Sequence, residues 1–490
     1  MGNLERRKFI KETLMGGMGA VLLNDAVSND AIGQLKNETA IYKTSKTGAA
    51  KKIIVGGGGI AGLCCAYELM KKGHDVVVLE ASGRHGGHIF TAHDGLSDGL
   101  YADYGQEHFT KGGYELYWKY TKEFNLDVVP YRRRDKLLRR IQGKLYSEEM
   151  LADPKVLRGF GLNEREVKYL MEHPWWSFSS LFTGNHLDKF TDEYQPFNVG
   201  YDHLDKVPMS DIYKKEGASE AAQWHLGGNN YSALFGLWSA AVYRLRNIPR
   251  HDIDVYRLKG GNQMLPNTFA KKLGERVWLN APILSIRHNN DGVSVTYKRF
   301  NEEKEMSADY YVNCIPLPAF RNMPIEPAMS PEKQYVFDNL TYSSYQRFVF
   351  QASSKFWLED GVGSVNIDVG STEMYQVWES TNEVDTHRVI LLATGPGGMS
   401  SQRALSVFRE VYPGKDTIEL ALGKDWTKER FAPTCERLPF PIGTLHKFWP
   451  EVIKPHGRIY FAGAYADTLS RGAEAATRSA NRVADEIHKA

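Results

Sequence analysis

The chain has 490 residues, a formal net charge of +2, and 42% hydrophobic and 24% charged residues. That length supports two or three domains with a core that needs no covalent staples, and the near-neutral balance leaves no electrostatic footprint for nucleic acid. Its 4 cysteines, two of them adjacent, give neither a disulfide framework nor a metal-ligand spacing, so no metal is expected and a small molecule is the expected partner.

At the N-terminus, "ERRKFIKETLMGGMGAVLL" places Arg6 and Arg7 before Phe9, Ile10 and Lys11, and a glycine-rich, weakly apolar run extends to Leu23. The run is too short to cross a bilayer as a stable helix. It resembles a twin-arginine export signal, which implies export of the folded protein and a periplasmic location; a basic amphipathic helix is the other reading. Residues 24–50 read as polar linker, so 1–50 is expected to be signal and linker. No other segment is long and apolar enough to suggest stable membrane insertion.

From Lys51 the chain reads "KKIIVGGGGIAGLCCAYELMKKGHDVVVLEASGRHGGH". The apolar run "IIV" predicts a buried strand; a glycine cluster follows, then helical spacing of apolar residues from Ile60 to Met70, then a second strand, "DVVVL". Gly57, Gly59 and Gly62 fit GxGxxG: the first permits a tight turn, the second lets backbone approach a pyrophosphate, and the third lets helix and strand pack closely. Ile60 and Ala61 then fall in the first helical turn, whose N–H groups suit phosphate oxygens. Eighteen residues after Gly62, Glu80 is placed to accept hydrogen bonds from a ribose diol, with Ala81 beside it. An acid there disfavours a 2′-phosphate, which leaves FAD or NAD.

The next stretch, "ASGRHGGHIFT", resembles the RxGGR corner of the flavin amine oxidase family. The resemblance implies that Arg84, Gly86 and Gly87 run beneath an FAD and help bind its phosphates, a side chain at either glycine colliding with the cofactor. His88 stands where the family has arginine. A mostly neutral ring loses part of the phosphate attraction and is expected to be a hydrogen-bond donor; the alternative is that His88 or His85 carries a covalent link to the flavin. "YADYGQEHF" (101–109) matches the family's next block and puts His108 towards the flavin. Two aromatic runs follow, "HPWWSF" (173–178) and "NNYSALFGLW" (229–238), which read either as core or as an aromatic-lined cavity.

The resemblance continues through "LKGGNQMLPNTF" and "NAPILSI", where Ile283 would touch the adenine end through its backbone, and "YYVNCIPLPAF", the return to the cofactor domain, with Cys314 read as a buried small hydrophobe. Beyond that turn, family members commonly hold a lysine that keeps a water near flavin N5; Asn322 occupies the position here, with Arg321 next to it. In "KDWTKERFAPTCERLPFPIG", Cys435 falls where monoamine oxidases carry a flavin-linked cysteine, and Glu436 where the family has one aromatic wall of an amine cage. The closing block, "GRIYFAGAYADTLSRGAEAATRSANRVADEI", would put Gly463 and Ala464 on the FAD. Gly472, with Ala473 after it and Arg471 before it, replaces the second cage aromatic and opens a helix whose N-terminus suits the negative edge of a reduced flavin.

These blocks imply an α/β fold: a discontinuous Rossmann-like FAD-binding domain (51–113, 254–318 and 430–490) carrying an inserted α+β substrate domain (114–253, mostly helical, and 319–429, containing a sheet). The implied function is an FAD-dependent oxidoreductase that takes a hydride from a carbon bearing an amine to flavin N5 and gives an imine, with oxygen or another electron carrier reoxidising the flavin. Asn322, Arg321 and Glu436 are the candidate catalytic groups, and FAD is expected either covalently bound, through Cys435 or a histidine, or tightly held. The changed lysine and cage positions keep open a desaturase or isomerase of an apolar or cyclic substrate, and, less specifically, a flavin-binding protein without turnover.

Overall fold

The run Ile53–Val55 forms strand β1 (Lys52–Gly56), buried from Ile53 onward, as a strand covered on both faces must be. The chain turns at Gly57, whose φ of +102° a residue with a Cβ rarely adopts. Helix α1 (Ile60–Lys71) follows, buried from Ile60 to Leu69. With no polar stripe, it must lie between layers rather than on a surface. Strand β2 (Asp75–Leu79) pairs parallel with β1.

In chain order come α2 (Glu115–Glu123), α3 (Ala233–Leu245), β3 (Val277–Trp278), β4 (Ile283–His288), β5 (Tyr310–Asn313), β6 (Tyr342–Ser343), β7 (Gln346–Ala352), β8 (Val389–Gly395), β9 (Ile418–Asp425), β10 (Glu436–Arg437), β11 (Ile459–Phe461) and α4 (Gly472–Lys489). This computed structural model describes residues 50–249, 254–380, 383–433, 436–469 and 472–490, with the side chain of Glu436 left aside. The signal and linker expected over 1–50, apart from Ala50, and the positions Cys435 and Arg471 lie outside the described residues.

The first sheet has the order β3-β2-β1-β5-β11 with every neighbouring pair parallel. Its strands come from three stretches of sequence, and the order reverses between β1 and β5. A crevice at the carboxyl ends of the strands at such a reversal is where this architecture receives ligands. α1 and α4 pack on each other over one face, and their apolar residues form one core with Phe109, Tyr117, Tyr120, Leu265 and Phe269.

A second sheet of seven strands begins β9-β7-β8, with β7 antiparallel to both neighbours. Its far edge is the hairpin Leu138–Ile141 and Lys144–Ser147, docked through a parallel pairing of Leu138 with Ile367. The stretch read as mostly helical therefore lends two strands to the sheet-containing stretch. The aromatic runs follow the core reading: Phe178, Phe235 and Trp238 sit in one core with Phe182, Phe190 and Trp449, and the Phe235 ring also lies beside a guanidinium group. Among the described residues no helix is long and apolar enough to cross a membrane.

Candidate active site

The turn after β1 is built by close backbone contacts. A Cβ on Gly62 would lie 1.9 Å from the Gly57 carbonyl oxygen, and one on Gly57 would lie 3.1 Å from the Cys314 backbone, so neither position takes a side chain. Gly59 differs: a Cβ there would meet no atom nearer than Gly87 Cα, at 3.8 Å. The chain itself leaves that space open, at the N-terminus of α1, where the first-turn N–H groups of Ile60, Ala61 and Gly62 have no helical partner. Glu80, 8% exposed, accepts from the Gly58 N–H at 2.6 Å through one oxygen and from the Ser82 N–H at 2.8 Å through the other. Ala81 is half-buried beside it. Asn280 and Ala281 donate to the Ser82 and Glu80 carbonyls, which sets the segment leading to Ile283 alongside this acid.

The Arg-His-Gly-Gly-His corner lies on this turn, with Gly86 bridged to Gly59 and its N–H donating to the Gly58 carbonyl at 2.8 Å. Its glycines already have a reason in the chain's own atoms. A Cβ on Gly86 would fall 2.6 Å from Gln263 Nε2 and 2.9 Å from the Ile89 oxygen, and one on Gly87 3.1 Å from Gly59 Cα. Arg84 is likewise turned inward: its guanidinium donates to the carbonyls of Gly87 at 2.6 Å and Ile89 at 3.3 Å, and stacks over Phe90. It braces the corner.

His88 is packed among aromatic side chains. Its ring stacks on Trp426 at 3.9 Å between centroids, with the Tyr345 edge at 5.8 Å. Burial, with Arg347, Arg84 and Lys424 nearby, pushes its pKa down to about 3, so the ring is neutral throughout the physiological range. His85 is paired with Asn267 at 2.8 Å.

The closing segment supplies the opposite wall. The Ser479 hydroxyl accepts from the Gly463 N–H at 2.8 Å and donates to its carbonyl at 3.0 Å, which fixes Gly463 and the following Ala464 beneath α4. Gly472 starts α4 at a φ of +74°, with the Tyr114 hydroxyl 3.1 Å from where a Cβ would be; Ala473 is buried behind it. In the first turn of α4, Glu474 accepts from the Leu116 and Tyr117 N–H groups at 3.0 and 2.9 Å and so caps α2. Burial pushes this carboxyl up to about 7, against the pull of those two hydrogen bonds.

Beyond the closing segment the polar groups change character. Asn322 is exposed, whereas Arg321 is half-buried and its Nε has no partner. The buried polar atom of that turn is therefore the Nε of Arg321, while Asn322 is exposed. Nearby, β6 and β10 form a two-stranded ribbon that pairs Tyr342 with Arg437 and packs on the segment 464–466. Another buried group, Glu107, lies 3.1 Å from Arg133 Nη1 and 2.8 Å from His108 Nδ1; burial would raise its carboxyl, but these neighbours hold it well below the usual range. Arg347, 4% exposed, donates to the Gly105 carbonyl and the Tyr345 hydroxyl and, with Arg133, flanks Trp378. Arg437, Tyr342 and the Glu107 cluster escape a reading of sequence, apart from His108, because their partners come from remote segments.

The profile of the family described as "Flavin containing amine oxidoreductase" matches residues 60–488. The chain belongs to that family. Among curated relatives, it is similar to an L-amino-acid oxidase of Vipera ammodytes ammodytes, 26% identical over 92% of this chain and 96% of the relative, and to one of Demansia vestigiata, 26% identical over 91% and 88%. Among solved structures, a putrescine oxidase with bound putrescine superposes with a TM-score of 0.76 at 19% identity over 90% of this chain and 99% of that one. Cyclohexylamine oxidase from Brevibacterium oxydans gives 0.72 at 19% identity over the same share of this chain and 99% of its own. This flavin amine oxidoreductase is thus an enzyme of C–N oxidation with FAD as its cofactor, and the desaturase, isomerase and non-catalytic readings give way. The residues present fit the group: the open space at Gly59, the helix N-terminus beside it and the buried acid Glu80 form a cradle for a dinucleotide that the chain does not fill with side chains.

Proposed function

We propose that this amine oxidoreductase acts on a small amine, with an α-amino acid as the favoured kind, and returns its electrons to oxygen or another carrier. The observation that carries the reading is the family match over residues 60–488; the relatives named as L-amino-acid oxidases, which align along nine-tenths of the chain, support the amino acid. Bound FAD supplies the acceptor for the hydride leaving the carbon that bears the amine, and the resulting imine is hydrolysed in water.

The chain's own part is to bind, orient and exclude. Gly57, Gly59, Ile60, Ala61 and Gly62 take the pyrophosphate, Glu80 the ribose, and the backbone at Ile283 the adenine end; Gly463, Ala464, Gly472 and Ala473 line the flavin end, where the N-terminus of α4 favours negative charge. Arg84, Gly86 and Gly87 act by shaping the corner. A neutral substrate amine needs no general base, so Arg321 serves to orient substrate, and Asn322, which is exposed, is the group that would hold a water near the flavin. Glu436 remains a candidate partner for a cationic amine, and Cys435 for a thioether to the flavin, each on the match to the family pattern alone. Residues 51–113, 254–318 and 430–490 then serve the cofactor, and 114–253 with 319–429 the substrate.

Peroxide release and anaerobic bleaching of the flavin, over a panel of amino acids and the amines of the same side chains, test the activity; flavin that no member bleaches defeats it. Acid precipitation of holoenzyme tests the covalent link, since colour left in the supernatant removes Cys435 and both histidines from contention. We assign the twin-arginine-like run to export into the periplasm, tested by converting Arg6 and Arg7 to lysine and following the location of the enzyme.

A further inference from the structure

The ribbon of β6 and β10 carries a guanidinium group that forms no ion pair among the described residues. Arg437 is 6% exposed, and among the described residues its only side-chain hydrogen bond is from Nη1 to the Leu438 carbonyl, at a long 3.3 Å. Its Nε is buried with no partner. The rings of Phe440 and Phe235 lie 4.1 and 5.3 Å from the guanidinium carbon and close it off from water. The carboxylate that acts on it, Asp467, is already held by Arg478 Nε at 3.0 and 3.2 Å and by the Leu469 N–H.

Two further polar groups belong to the same neighbourhood. Among the described residues Tyr342, paired with Arg437 across the ribbon, has a buried hydroxyl with no partner, and Arg321 has a buried Nε with none; both arginines act electrostatically on the Tyr342 phenol. Neither Arg321 nor Arg437 forms an ion pair among the described residues. A buried charge is kept in a folded protein when it is paired, and two cations with a phenol hydroxyl, all with donors to spare, are together the complement of one carboxylate. The cluster also lies at the reacting end. The ribbon packs on 464–466, where Tyr465 reaches across to accept from Asn313 at the end of β5, beside the crossover that contacts Gly57. Arg321 follows that crossover by one short helical turn.

We infer that Arg437, Arg321 and Tyr342 form a subsite for the carboxylate of the substrate, so that the enzyme selects amines that also carry an acid group. This inference rests on amine oxidation as the activity and adds which residues select among amines. A planar fork from Arg437 takes the two carboxylate oxygens, Arg321 adds charge, and the Tyr342 hydroxyl fixes the tilt, while Phe235 and Phe440 keep water from competing.

The test compares holoenzyme with Arg437→Gln, Arg321→Gln and Tyr342→Phe on matched pairs: phenylalanine with phenethylamine, and leucine with isoamylamine. Loss of one charge-assisted contact predicts an apparent KM raised about 30-fold for the amino acid in Arg437→Gln, with less than about a threefold change for the paired amine. Tyr342→Phe keeps the shape of the site and predicts a rise of about fivefold, again confined to the acid-bearing member. Losses of equal size on both members, or no loss, overturn the subsite. Phenylacetate, which has no amine to oxidise, gives a readout apart from turnover: it is expected to perturb the flavin spectrum of the wild type and not of Arg437→Gln. If no amine reduces the wild type, the proposed activity fails, and the phenylacetate titration still decides the subsite. If Arg437→Gln does not fold, the other two variants carry the comparison.

Discussion

The two ends of the site are made in opposite ways. At the dinucleotide end the shape comes from backbone: glycines at 57, 62, 86 and 87 stand where a Cβ would strike the chain itself, and Glu80 is tied to residues on either side of the turn. At the amine end it comes from side chains, and Arg321, Tyr342 and Arg437 arrive from separate segments with buried donors that the protein leaves unmatched. The first end is pre-formed by steric exclusion and needs its ligand only to fill a gap. The second is polarised in advance and needs its ligand to complete a charge balance.

Substitutions should therefore fail differently at the two ends. The largest effect is expected for Gly62→Val, because the added carbons meet the Gly57 oxygen. Overpacking typically costs about 1–3 kcal/mol in stability, and here it also displaces the turn, so purified protein should be colourless and melt lower. A yellow, stable Gly62→Val enzyme would break the contrast at its strong end. Next, the apoprotein should show a pH slope from Glu474, whose folded pKa of about 7 lies above an ordinary value of 4.5. A group raised on folding stabilises fully below its unfolded pKa and loses that contribution as pH climbs through the folded one. Unfolding free energy should thus fall by about 2 kcal/mol between about pH 5 and about pH 8, a slope that Glu474→Gln removes.

Glu80→Ala is expected to weaken FAD binding by about 30-fold, measured by titrating apoprotein, with little change in selectivity among amines. Ser479→Ala, which releases both bonds to Gly463, should weaken FAD binding by about tenfold. The smallest effect should come from His88→Phe. The stack on Trp426 survives and the ring was neutral already, so FAD affinity should stay within about threefold at every pH from 6 to 8. A large loss there would show that the corner uses the imidazole nitrogens after all.

What could be read in the sequence follows the same divide. The strand, turn, helix and second strand from Lys52 to Leu79 were legible because their signals are local: apolar runs, glycines at fixed offsets, and an acid after the second strand. The glycines of the corner were legible as glycines but not for their reason, since Gln263, which excludes a side chain at Gly86, belongs to a distant stretch. Arg84 likewise matched the family pattern while its bonds to Gly87 and Ile89 were invisible. The hairpin at 138–147 was missed because short strands with mixed polarity carry little periodicity. Arg437 sat in a quoted run without distinction; only the pairing of β6 with β10 brings it to Tyr342, and no spacing in the chain announces a cation that folds inward.

The parallel sheet carries one more consequence, in the order of synthesis. β11 (459–461) is its last strand, and α4 (472–489), which packs over α1 and holds the closing turn, follows it. The turn at Gly57 emerges from the ribosome long before its opposite wall, which comes only with β11 and α4. Cofactor loading must therefore wait for α4, and loss of that helix should give a protein that retains much of its sheet but no flavin.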